Sequence, residues 1–571
     1  MEKKSSGKSI SIVPIIVVIA VVVFAVTFAI ITFTNNSGSK SVADYDGAVK
    51  TMEKYYKKIK VGELSQVKGS VDLEAPDLEA SLPDIDKYPA QVENTTPDYV
   101  EIFSSPEKST ISEGSSDYDR WLVDMAEEFN NAGITVDGKP VSVMMRGMAS
   151  GMALDYISTG KYVPDAYTPS NSLWGDSMKE MGIKSELLEE RLLGNVAGFV
   201  LSKKKHQEIT DKYGSVTIET ITKAVTDNEI AMGYTNPLSS STGANFLLSM
   251  LYTFDNGNPL GDKAVGEFEA FQNNLPFIAY TTLQMKDSAK SGMLDGFVFE
   301  YQQYVNSPDI KADYVFTPFG IRHDNPIYGI GKLSKEKKQI LEEFIAFCKS
   351  DEGQKKASSY GFNGYDDYEF EIDNVTGELL TSAQKIWKEK KNGERDIVAV
   401  FVADVSGSMD GEPLNRLKQS LLNGAKYIDN DNYIGLVTYS DNVDIALPIG
   451  AFDINQRAYF AGAINNMSAS GGTATYDAII VAEKMLVEAS EEHPNAKLML
   501  FVLSDGETNV GHTMKEIDGV VRGLQIPIYT IGYNADLEAL QEISRINEAA
   551  SINADSEDVV YKLQNLFNAE M

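Results

Sequence analysis

Cysteine is almost absent from this chain, which has a single thiol, Cys348, among 571 residues. One thiol cannot form an internal disulfide, so the fold must be held by its hydrophobic core. Hydrophobic residues make up 43% of the chain, which is normal for a globular protein with such a core. Cys348 follows the apolar run 344–347, and free cysteine usually packs as a small hydrophobe. We therefore expect Cys348 to be a buried helix residue.

Histidine is also scarce, and the four residues are widely separated: His206, His323, His493 and His512. None belongs to a His-Glu-x-x-His pair, the helical zinc motif of many metalloproteases. A Gly-x-Ser-x-Gly elbow and a complete phosphate-binding loop are missing as well. These absences leave the sequence without the usual signatures of a hydrolase or a nucleotide-dependent enzyme.

Two serine–lysine pairs have the spacing found in penicillin-recognising enzymes, Ser105-x-x-Lys108 and Ser158-x-x-Lys161. The pattern is short and arises often by chance, and the Lys-Thr-Gly companion is absent. We therefore expect the protein not to be an enzyme.

Positive charge is in deficit, because 51 Lys and Arg residues stand against 83 Asp and Glu residues, giving a formal net charge of −32. Binding to nucleic acid needs a concentrated basic surface, so a nucleic-acid partner is disfavoured. An acidic body that stays dispersed in solution fits the composition better.

A long hydrophobic run, Ile10–Phe33, contains no charged side chain and is long enough to cross a bilayer of about 30 Å. Lys3, Lys4 and Lys8 precede it, so the positive-inside rule predicts a cytoplasmic tail over 1–9 and an extracytoplasmic location for the rest. A cleaved signal peptide is the alternative, but its apolar core usually spans only about 7–15 residues. We expect an uncleaved, single-pass membrane anchor.

The remaining chain divides into two long regions of alternating strands and helices, 97–365 and 396–571. Such alternation predicts α/β folds with parallel sheets covered by helices. Residues 34–96 are expected to form a short amphipathic helix and an acidic, proline-containing spacer that lifts the body off the membrane. Residues 366–395 are expected to be a linker with a charged helix.

In the second region, polar residues follow strongly apolar strands. Residues 397–403 form an almost continuous apolar run, as expected of a strand that is buried on both faces. It leads into Asp404, Ser406 and Ser408, at the sheet edge where ligands bind in open parallel sheets. Hydroxyl and carboxylate oxygens suit Mg²⁺ or Mn²⁺ rather than softer metals. Gly471-Gly472-Thr473 and Ser504-Asp505-Gly506 supply further oxygens later in the chain.

This combination resembles the metal-ion-dependent adhesion site of von Willebrand factor A domains, and the resemblance covers about 395–571. It implies that Ser406, Ser408 and Thr473 bind the metal, with Asp404 and Asp505 in or just behind the coordination shell. It further implies a doubly wound, Rossmann-like domain in which a partner's Asp or Glu carboxylate completes the coordination. The alternative is that Asp404 and Asp505 only cap helices.

The first region resembles bacterial extracellular solute-binding proteins, in the branch that includes oxyanion binders. Small hydroxyl residues recur where its strands lead into helices, and free N–H groups there favour anions and polar oxygens. The resemblance implies two lobes, with chain crossings near 192–200 and 314–322, and a small polar or anionic solute bound between them. The implied solute-binding residues are Ser104, Ser105, Ser150, Ser170, Asn236, Ser239, Ser241 and Thr242, with Arg146 as a counter-charge. The alternative is that these hydroxyls are ordinary helix caps and Arg146 a surface residue.

The sequence thus predicts a non-enzymatic surface receptor, bacterial by resemblance, that combines a solute clamp with Mg²⁺-dependent protein adhesion. Two other functions remain open. The chain could be a structural adhesin or envelope-assembly scaffold whose clamp is empty. It could also be an accessory to a metal chelatase or chaperone, although such machines work with cytosolic ATPases and the predicted topology faces outward.

Overall fold

The computed structural model describes residues 44–74, 78–110, 118–275, 278–279, 285, 294–370, 372, 375–393, 395–505, 508–533, 548–553 and 566–567. The predicted tail over 1–9, the anchor over 10–33 and most of a last helix expected over 555–568 lie outside these residues. Across the described ranges, no helix is both long enough and apolar enough to span a membrane.

The amino-terminal segment, residues 44–72, docks onto the carboxy-terminal domain. Its elements are helix α1 (Tyr45–Tyr56) and strand β1 (Val61–Glu63). Strand β1 pairs in parallel with residues 443–445, and Ala48 and Met52 of α1 are buried in the core of that domain. A Cβ added to Gly462 would lie 1.7 Å from the Val67 carbonyl oxygen, so the two backbones touch.

Residues 78–92 instead lie against the first lobe of the clamp, beginning with helix α2 (Leu78–Ser81). The Tyr156 hydroxyl donates to the Pro83 carbonyl at 2.9 Å, and Val92 forms an isolated bridge with Met145. The short amphipathic helix expected in 34–96 is present as α1, whereas the residues expected to form a spacer contact the two modules instead. The apolar residues of this stretch have neighbouring domains to pack on, so it connects the two modules.

The clamp spans two sheets. Its strands are β2 (Asp98–Ser104), β3 (Thr135–Val136), β4 (Lys139–Gly147), β5 (Ala166–Thr168), β6 (Ser185–Glu189), β7 (Val196–Ser202), β8 (Met232–Thr235), β9 (Ile278–Ala279), β10 (Gly296–Glu300), β11 (Tyr314–Arg322) and β12 (Ile327–Ile330). The first lobe has the order β3-β4-β2-β5-β12-β6, and the second has the order β11-β7-β10-β8-β9.

Helices cover both sheets of the clamp. They are α3 (Pro106–Ser109), α4 (Trp121–Asn131), α5 (Ser150–Thr159), α6 (Leu173–Glu180), α7 (Lys203–Tyr213), α8 (Ile218–Thr226), α9 (Ser241–Phe254), α10 (Asp262–Gln272), α11 (Tyr301–Val305), α12 (Pro308–Asp313), α13 (Lys335–Lys349) and α14 (Asp351–Ser359). Cys348 is fully buried in α13, which confirms the expectation for the single thiol.

The charged helix of the linker, α15 (Gly377–Lys390), belongs to the clamp. Its apolar residues Leu380, Ala383 and Trp387 are fully buried in the core of the second lobe. The Trp387 indole donates to the Tyr234 hydroxyl at 2.6 Å. The amphipathic spacing of the sequence marks the helix, but only the tertiary structure provides the lobe against which it packs.

The carboxy-terminal domain is a twisted sheet with helices on both faces. Its elements are β13 (Ile397–Asp404), α16 (Glu412–Gly424), β14 (Tyr433–Tyr439), β15 (Val443–Ala451), α17 (Ile454–Asn465), α18 (Thr475–Glu492), β16 (Lys497–Ser504), α19 (Met514–Leu524), β17 (Ile528–Gly532) and β18 (Glu548–Asn553). The order is β1-β15-β14-β13-β16-β17-β18, and only the β14–β15 pair is antiparallel.

Strand β13 lies at the centre of this sheet, and all eight of its residues are buried. Alternate side chains point into two different cores, with Phe401 on one face and Val400 and Val402 on the other. This confirms the interpretation of the apolar run as a strand covered on both faces. Because β13 ends at Asp404 in the middle of the sheet, the polar residues that follow it reach a crevice formed by neighbouring loops.

Candidate functional site

Asp404, Ser406, Ser408 and Asp505 meet at the carboxyl edge of the carboxy-terminal sheet. The two serine hydroxyl oxygens are 3.1 Å apart, and the Ser408 hydroxyl donates to Asp505 Oδ1 at 2.9 Å. Asp404 Oδ1 accepts from the Ser406 backbone N–H at 2.8 Å. The order of β14, β13 and β16 in the sheet brings these loops together although nearly 100 residues separate them.

Thr473 lies in the second loop, which is tied to both of the others. The Gly407 N–H donates to the Gly471 carbonyl at 3.0 Å, which joins the first loop to the second. The Thr473 N–H donates to Asn509 Oδ1 at 2.9 Å, which joins the second loop to the third. Hydrogen bonds thus hold the three loops in one cluster of oxygen atoms.

The charges of this cluster suit a cation. Burial raises the pKa of Asp505, and the nearby carboxylate of Asp404 raises it further, although the Ser408 hydroxyl opposes the change. The pKa of the Tyr439 hydroxyl is likewise raised, by burial and by Asp404. Two neighbouring carboxylates, together with several hydroxyl oxygens, form a donor set that fits Mg²⁺ or Mn²⁺.

The alternative that Asp404 is a purely structural cap accounts for only part of its contacts. One of its oxygens accepts the Ser406 N–H, and the other accepts the Ser504 hydroxyl at 2.6 Å. The sequence motif did not identify Ser504, Tyr439 or Asn509 as residues that orient the site. Ser504 directly precedes Asp505, which is a usable signal, whereas nothing local distinguishes Tyr439 or Asn509.

The cleft between the two lobes of the clamp is lined by buried polar residues. The Ser150 and Ser241 hydroxyl oxygens, from opposite lobes, are 3.2 Å apart. The Gly151 N–H donates to the Ser239 carbonyl at 3.1 Å, and the Trp174 indole donates to the Ser241 hydroxyl at 2.8 Å. The lobes therefore contact each other directly in this closed arrangement.

The first lobe contributes a buried ion pair to this cleft. Lys108 is fully buried, and its ammonium group contacts the Ser105 hydroxyl, the Thr168 carbonyl at 3.1 Å and Glu107 at 3.3 Å. Burial acts to raise the pKa of Glu107, but the charge of Lys108 and hydrogen bonds from Ser105 and Ser170 hold it below its ordinary value. Burial lowers the pKa of Lys108, against the charge of Glu107.

The serine–lysine spacing at Ser105 and Lys108 therefore corresponds to a real contact. Penicillin-recognising enzymes also carry a Ser-Asp-Asn tripeptide close to this pair. The Ser440-Asp441-Asn442 of this chain lies elsewhere, in the turn between β14 and β15. The Ser105 hydroxyl donates to Glu107 at 2.6 Å. The three side chains thus satisfy one another inside the lobe.

The second lobe contributes Glu300, which is buried beside the chain crossings. It accepts from the Thr242 hydroxyl at 3.1 Å and from the Asn195 amide at 2.6 Å, and it lies 3.0 Å from His323 Nδ1. The crossings are paired, since Asn195 and His323 exchange backbone hydrogen bonds of 3.0 Å. This pairing places the crossings near 192–200 and 314–322, as the sequence predicts.

Arg146 was expected as a counter-charge for a solute, but the structure gives it partners within its own lobe. Its Nε lies 2.7 Å from Glu101 Oε1, and its Nη1 donates to the Tyr88 carbonyl at 2.7 Å. The buried cation of the cleft is Lys108 instead. Arg146 lies in strand β4, whose side chains alternate between the two faces of the sheet, and the sequence alone does not show on which face Arg146 lies.

The remaining predicted solute residues are all buried around the cleft. The Ser104 hydroxyl donates to the Ser105 carbonyl at 3.4 Å, and the Ser239 hydroxyl donates to the Asn236 carbonyl at 3.4 Å. The Asn236 side-chain amide nitrogen and the Thr168 hydroxyl are buried without a hydrogen-bond partner among the described residues. Ordinary capping does not explain Ser105, whose side chain makes no cap hydrogen bond.

Comparisons with known proteins agree with this division of the chain. Residues 114–363 match the family model of bacterial extracellular solute-binding proteins, and residues 397–569 match that of the von Willebrand factor type A domain. Inter-alpha-trypsin inhibitor heavy chain H3 of Bos taurus is 31% identical over 149 residues, which are 24% of this chain and 16% of that protein. The chain therefore spans less than a fifth of that relative.

Two solved structures are similar to parts of the chain. The sulfate-binding protein SubI of Mycobacterium tuberculosis H37Rv is similar over 51% of this chain and 91% of its own, with 12% identity and a TM-score of 0.34. A von Willebrand factor type A protein of Catenulispora acidiphila is similar over 30% of this chain and 42% of its own, with 17% identity and a TM-score of 0.26. With the two family matches, the chain is identified as carrying a bacterial solute-binding domain followed by a von Willebrand factor type A domain.

Proposed function

We propose that the protein is a membrane-anchored, extracytoplasmic binding protein that joins a solute clamp to metal-dependent protein adhesion. The metal would be held by Ser406, Ser408 and Thr473, with Asp404 and Asp505 in or behind the coordination shell. A bound divalent cation would supply a positive charge for a partner's carboxylate. The observation that carries this proposal is the pair of Asp carboxylates that share one edge with hydroxyl oxygens.

The residues of this chain prepare that site in two ways. Backbone hydrogen bonds between the three loops fix the oxygens before a ligand arrives, which reduces the entropic cost of binding. The site also lacks a set of three His, Cys, Asp or Glu side chains within the described ranges. A site with few charged ligands keeps positions open for water or for a partner's carboxylate.

The test is metal binding by the full-length chain in detergent, measured by calorimetric titration with Mn²⁺. Asp404→Ala and Asp505→Ala should each weaken binding by at least a hundredfold. Asp431→Ala is the matched control, because Asp431 is an exposed aspartate just before β14, at the opposite edge of the sheet. Equal Mn²⁺ affinity in all three variants would rule out this site.

The solute function rests on a different observation, the unpartnered polar atoms of Thr168 and Asn236 inside the cleft. Native mass spectrometry of the purified chain, compared with the denatured chain, tests it directly. An additional mass beyond one divalent ion, lost on denaturation, would identify a cargo.

A structural scaffold with an empty clamp is the second candidate, and the direct contacts between the lobes favour it. The contacts of Ser150 with Ser241 and of Gly151 with Ser239 join the two lobes across the cleft. Under this alternative, native mass spectrometry shows only protein and metal. Ser150→Trp, which would fill the cleft, should then leave the cellular phenotype unchanged.

A further inference from the structure

The carboxy-terminal domain is attached to both lobes of the clamp, through two different parts of the chain. Residues 44–72 belong structurally to the carboxy-terminal domain, and residues 78–92 lie on the first lobe. On the other side, α15 is buried in the second lobe and β13 begins soon after it. The clamp is thus inserted into the von Willebrand factor type A domain.

Only a short, hydrogen-bonded stretch joins the carboxy-terminal domain to the second lobe. The Arg395 guanidinium donates to the carbonyls of Gln272 and Leu275 at 3.2 and 3.1 Å. The next residue, Asp396, already accepts the Lys497 N–H of the carboxy-terminal sheet at 2.8 Å. The central strand of that sheet is therefore mounted directly on the second lobe.

The attachment to the first lobe is also short. Asp72 pairs with Lys426 of the carboxy-terminal domain at 2.6 Å, and helix α2 of the first lobe begins at Leu78. Six residue steps cover about 20 Å at full extension. A separation of the lobes greater than this connection can span would be carried to the segment 44–72.

The segment 44–72 is held in a way that permits its release. Strand β1 has only three residues and lies at the edge of the sheet, where Leu64 N–H adds a hydrogen bond of 3.2 Å to the Ile445 carbonyl. Helix α1 is fixed mainly by apolar contacts through Ala48 and Met52. Short edge strands are among the least stable parts of a sheet.

The same segment reaches the loops of the metal site. The Tyr55 ring of α1 lies 4.6 Å from the His512 ring, centroid to centroid. His512 Nδ1 and the His512 N–H both contact Asp477 Oδ1, at 2.6 and 2.9 Å. Asp477 is in the first turn of α18, just after Thr473, and His512 follows Asn509, which binds the Thr473 backbone.

We propose that the clamp regulates the metal site through the segment 44–72. In the closed clamp the segment is docked, and Tyr55, His512 and Asp477 hold the second and third loops in place. Opening of the lobes pulls on the connection between Asp72 and Leu78, loosens β1 and α1, and lowers the affinity of the site for divalent metal. This inference rests on the proposed metal function for its output, but its structural step can be measured separately.

A reversible lock tests the proposal. Because the Ser150 and Ser241 hydroxyls are 3.2 Å apart, S150C/S241C places two thiols in position for a disulfide between the lobes. Cys348 is fully buried and should not interfere. The oxidised full-length protein should bind Mn²⁺ at least threefold more tightly than the same protein after reduction. Amide hydrogen exchange in residues 58–72 should be slower when the lock is closed.

A second variant opens the clamp. A Cβ at Gly151 would lie 2.3 Å from the Leu238 carbonyl oxygen in the opposite lobe, so Gly151→Leu must separate the lobes. It should speed exchange in 58–72 and weaken Mn²⁺ binding. Insertion of twelve Gly and Ser residues after Glu74 should remove both effects. The same insertion between Asn256 and Gly257, in an exposed loop of the second lobe, is the matched control and should leave them intact.

Unchanged exchange in 58–72 and unchanged Mn²⁺ affinity, in both the lock and Gly151→Leu, would overturn the proposal. If the protein binds no Mn²⁺ in any state, the proposed metal function fails, and the exchange measurement still decides whether the clamp moves the segment. Altered exchange that persists after the insertion at Glu74 would also count against it, because the connection would then not carry the motion.

Discussion

The metal edge of the carboxy-terminal domain and the cleft of the clamp treat buried charge in opposite ways. At the proposed metal edge, burial and the nearby Asp404 carboxylate both raise the pKa of Asp505. In the cleft, Glu107 is paired with Lys108, and Glu300 is surrounded by hydrogen-bond donors. The first site therefore holds a carboxylate whose charge is disfavoured, whereas the second is nearly satisfied by its own side chains.

This difference explains why the two sites are not equally visible in the sequence. The oxygen atoms of the proposed metal site must be brought together from the ends of several strands, and the sequence motif that does this is specific. A cleft that satisfies itself uses ordinary Ser, Thr and Asn residues, whose pattern is common at helix starts. Four changes test the contrast between the sites, in order of decreasing expected effect.

Lys108→Ala should have the largest effect, because it leaves Glu107 buried without its counter-ion. Removing one partner of a buried pair typically costs about 3–5 kcal/mol. The measurement is the thermal transition of the clamp by differential scanning calorimetry. Lys204→Ala, at an exposed lysine of α7, is the control and should change little. A similar small change in both variants would mean that the pair is not needed for folding.

Glu483 predicts a pH dependence in the carboxy-terminal domain. It is fully buried in α18, neither carboxylate oxygen has a partner among the described residues, and burial raises its pKa to about 8. A raised pKa means that the folded state binds the proton more tightly, so the stabilisation is present at low pH and lost as pH rises toward 8. Between pH 5 and pH 7.5 the loss should be about 3 kcal/mol.

Glu483→Gln should flatten this dependence in urea unfolding followed at several pH values. Glu491→Gln, at an exposed position near the end of the same helix, should keep the wild-type slope. If the slope is the same in both variants, another group accounts for it.

Trp387→Phe should have a smaller effect, in the helix that joins the modules. It removes the hydrogen bond from the indole to Tyr234, while Tyr234 keeps its partner Gln272 at 3.1 Å. The expected cost is about 1 kcal/mol, seen as a lower thermal midpoint of the clamp. A loss larger than about 3 kcal/mol would show that the size of the indole in the core matters more than its hydrogen bond.

Asp505→Asn, in the presence of a chelator, should have the smallest effect and the opposite sign. The substitution removes a carboxylate that is disfavoured by burial and by Asp404. The thermal midpoint of the carboxy-terminal domain should stay unchanged or rise by roughly 1–2 °C. A clear fall in the midpoint without metal would indicate that Asp505 has a structural role, and the contrast with the clamp would not hold.

Much of the carboxy-terminal fold could be predicted from local sequence. The apolar run 397–403 forms a buried strand, as the sequence predicts. Strand β15 was missed, because its residues 443–451 alternate only partly between buried and exposed positions. Three residues are too short for a recognisable strand pattern, so β1 was missed as well.

The candidate sites divide in the same way. The motif predicts five metal-site residues, and the structure brings the loops that carry them together. Glu300 and His323 were not identified as cleft residues, since the partners of Glu300 lie far from it in sequence. Glu107 and Lys108 are adjacent, but the sequence does not show that they are buried. Arg146 shows the reverse case, because a side chain that looked available is already paired with Glu101.

By itself the sequence determined the order of the modules, the buried central strand and the oxygen-rich loops, because these depend on short runs of residues and on hydrophobic periodicity. Only the tertiary structure decided that residues 44–72 complete the carboxy-terminal sheet, that α15 belongs to the clamp, and that Lys108 is the buried cation of the cleft. Contacts between segments hundreds of residues apart depend on which surfaces meet in the folded chain. No local sequence pattern shows which surfaces will meet.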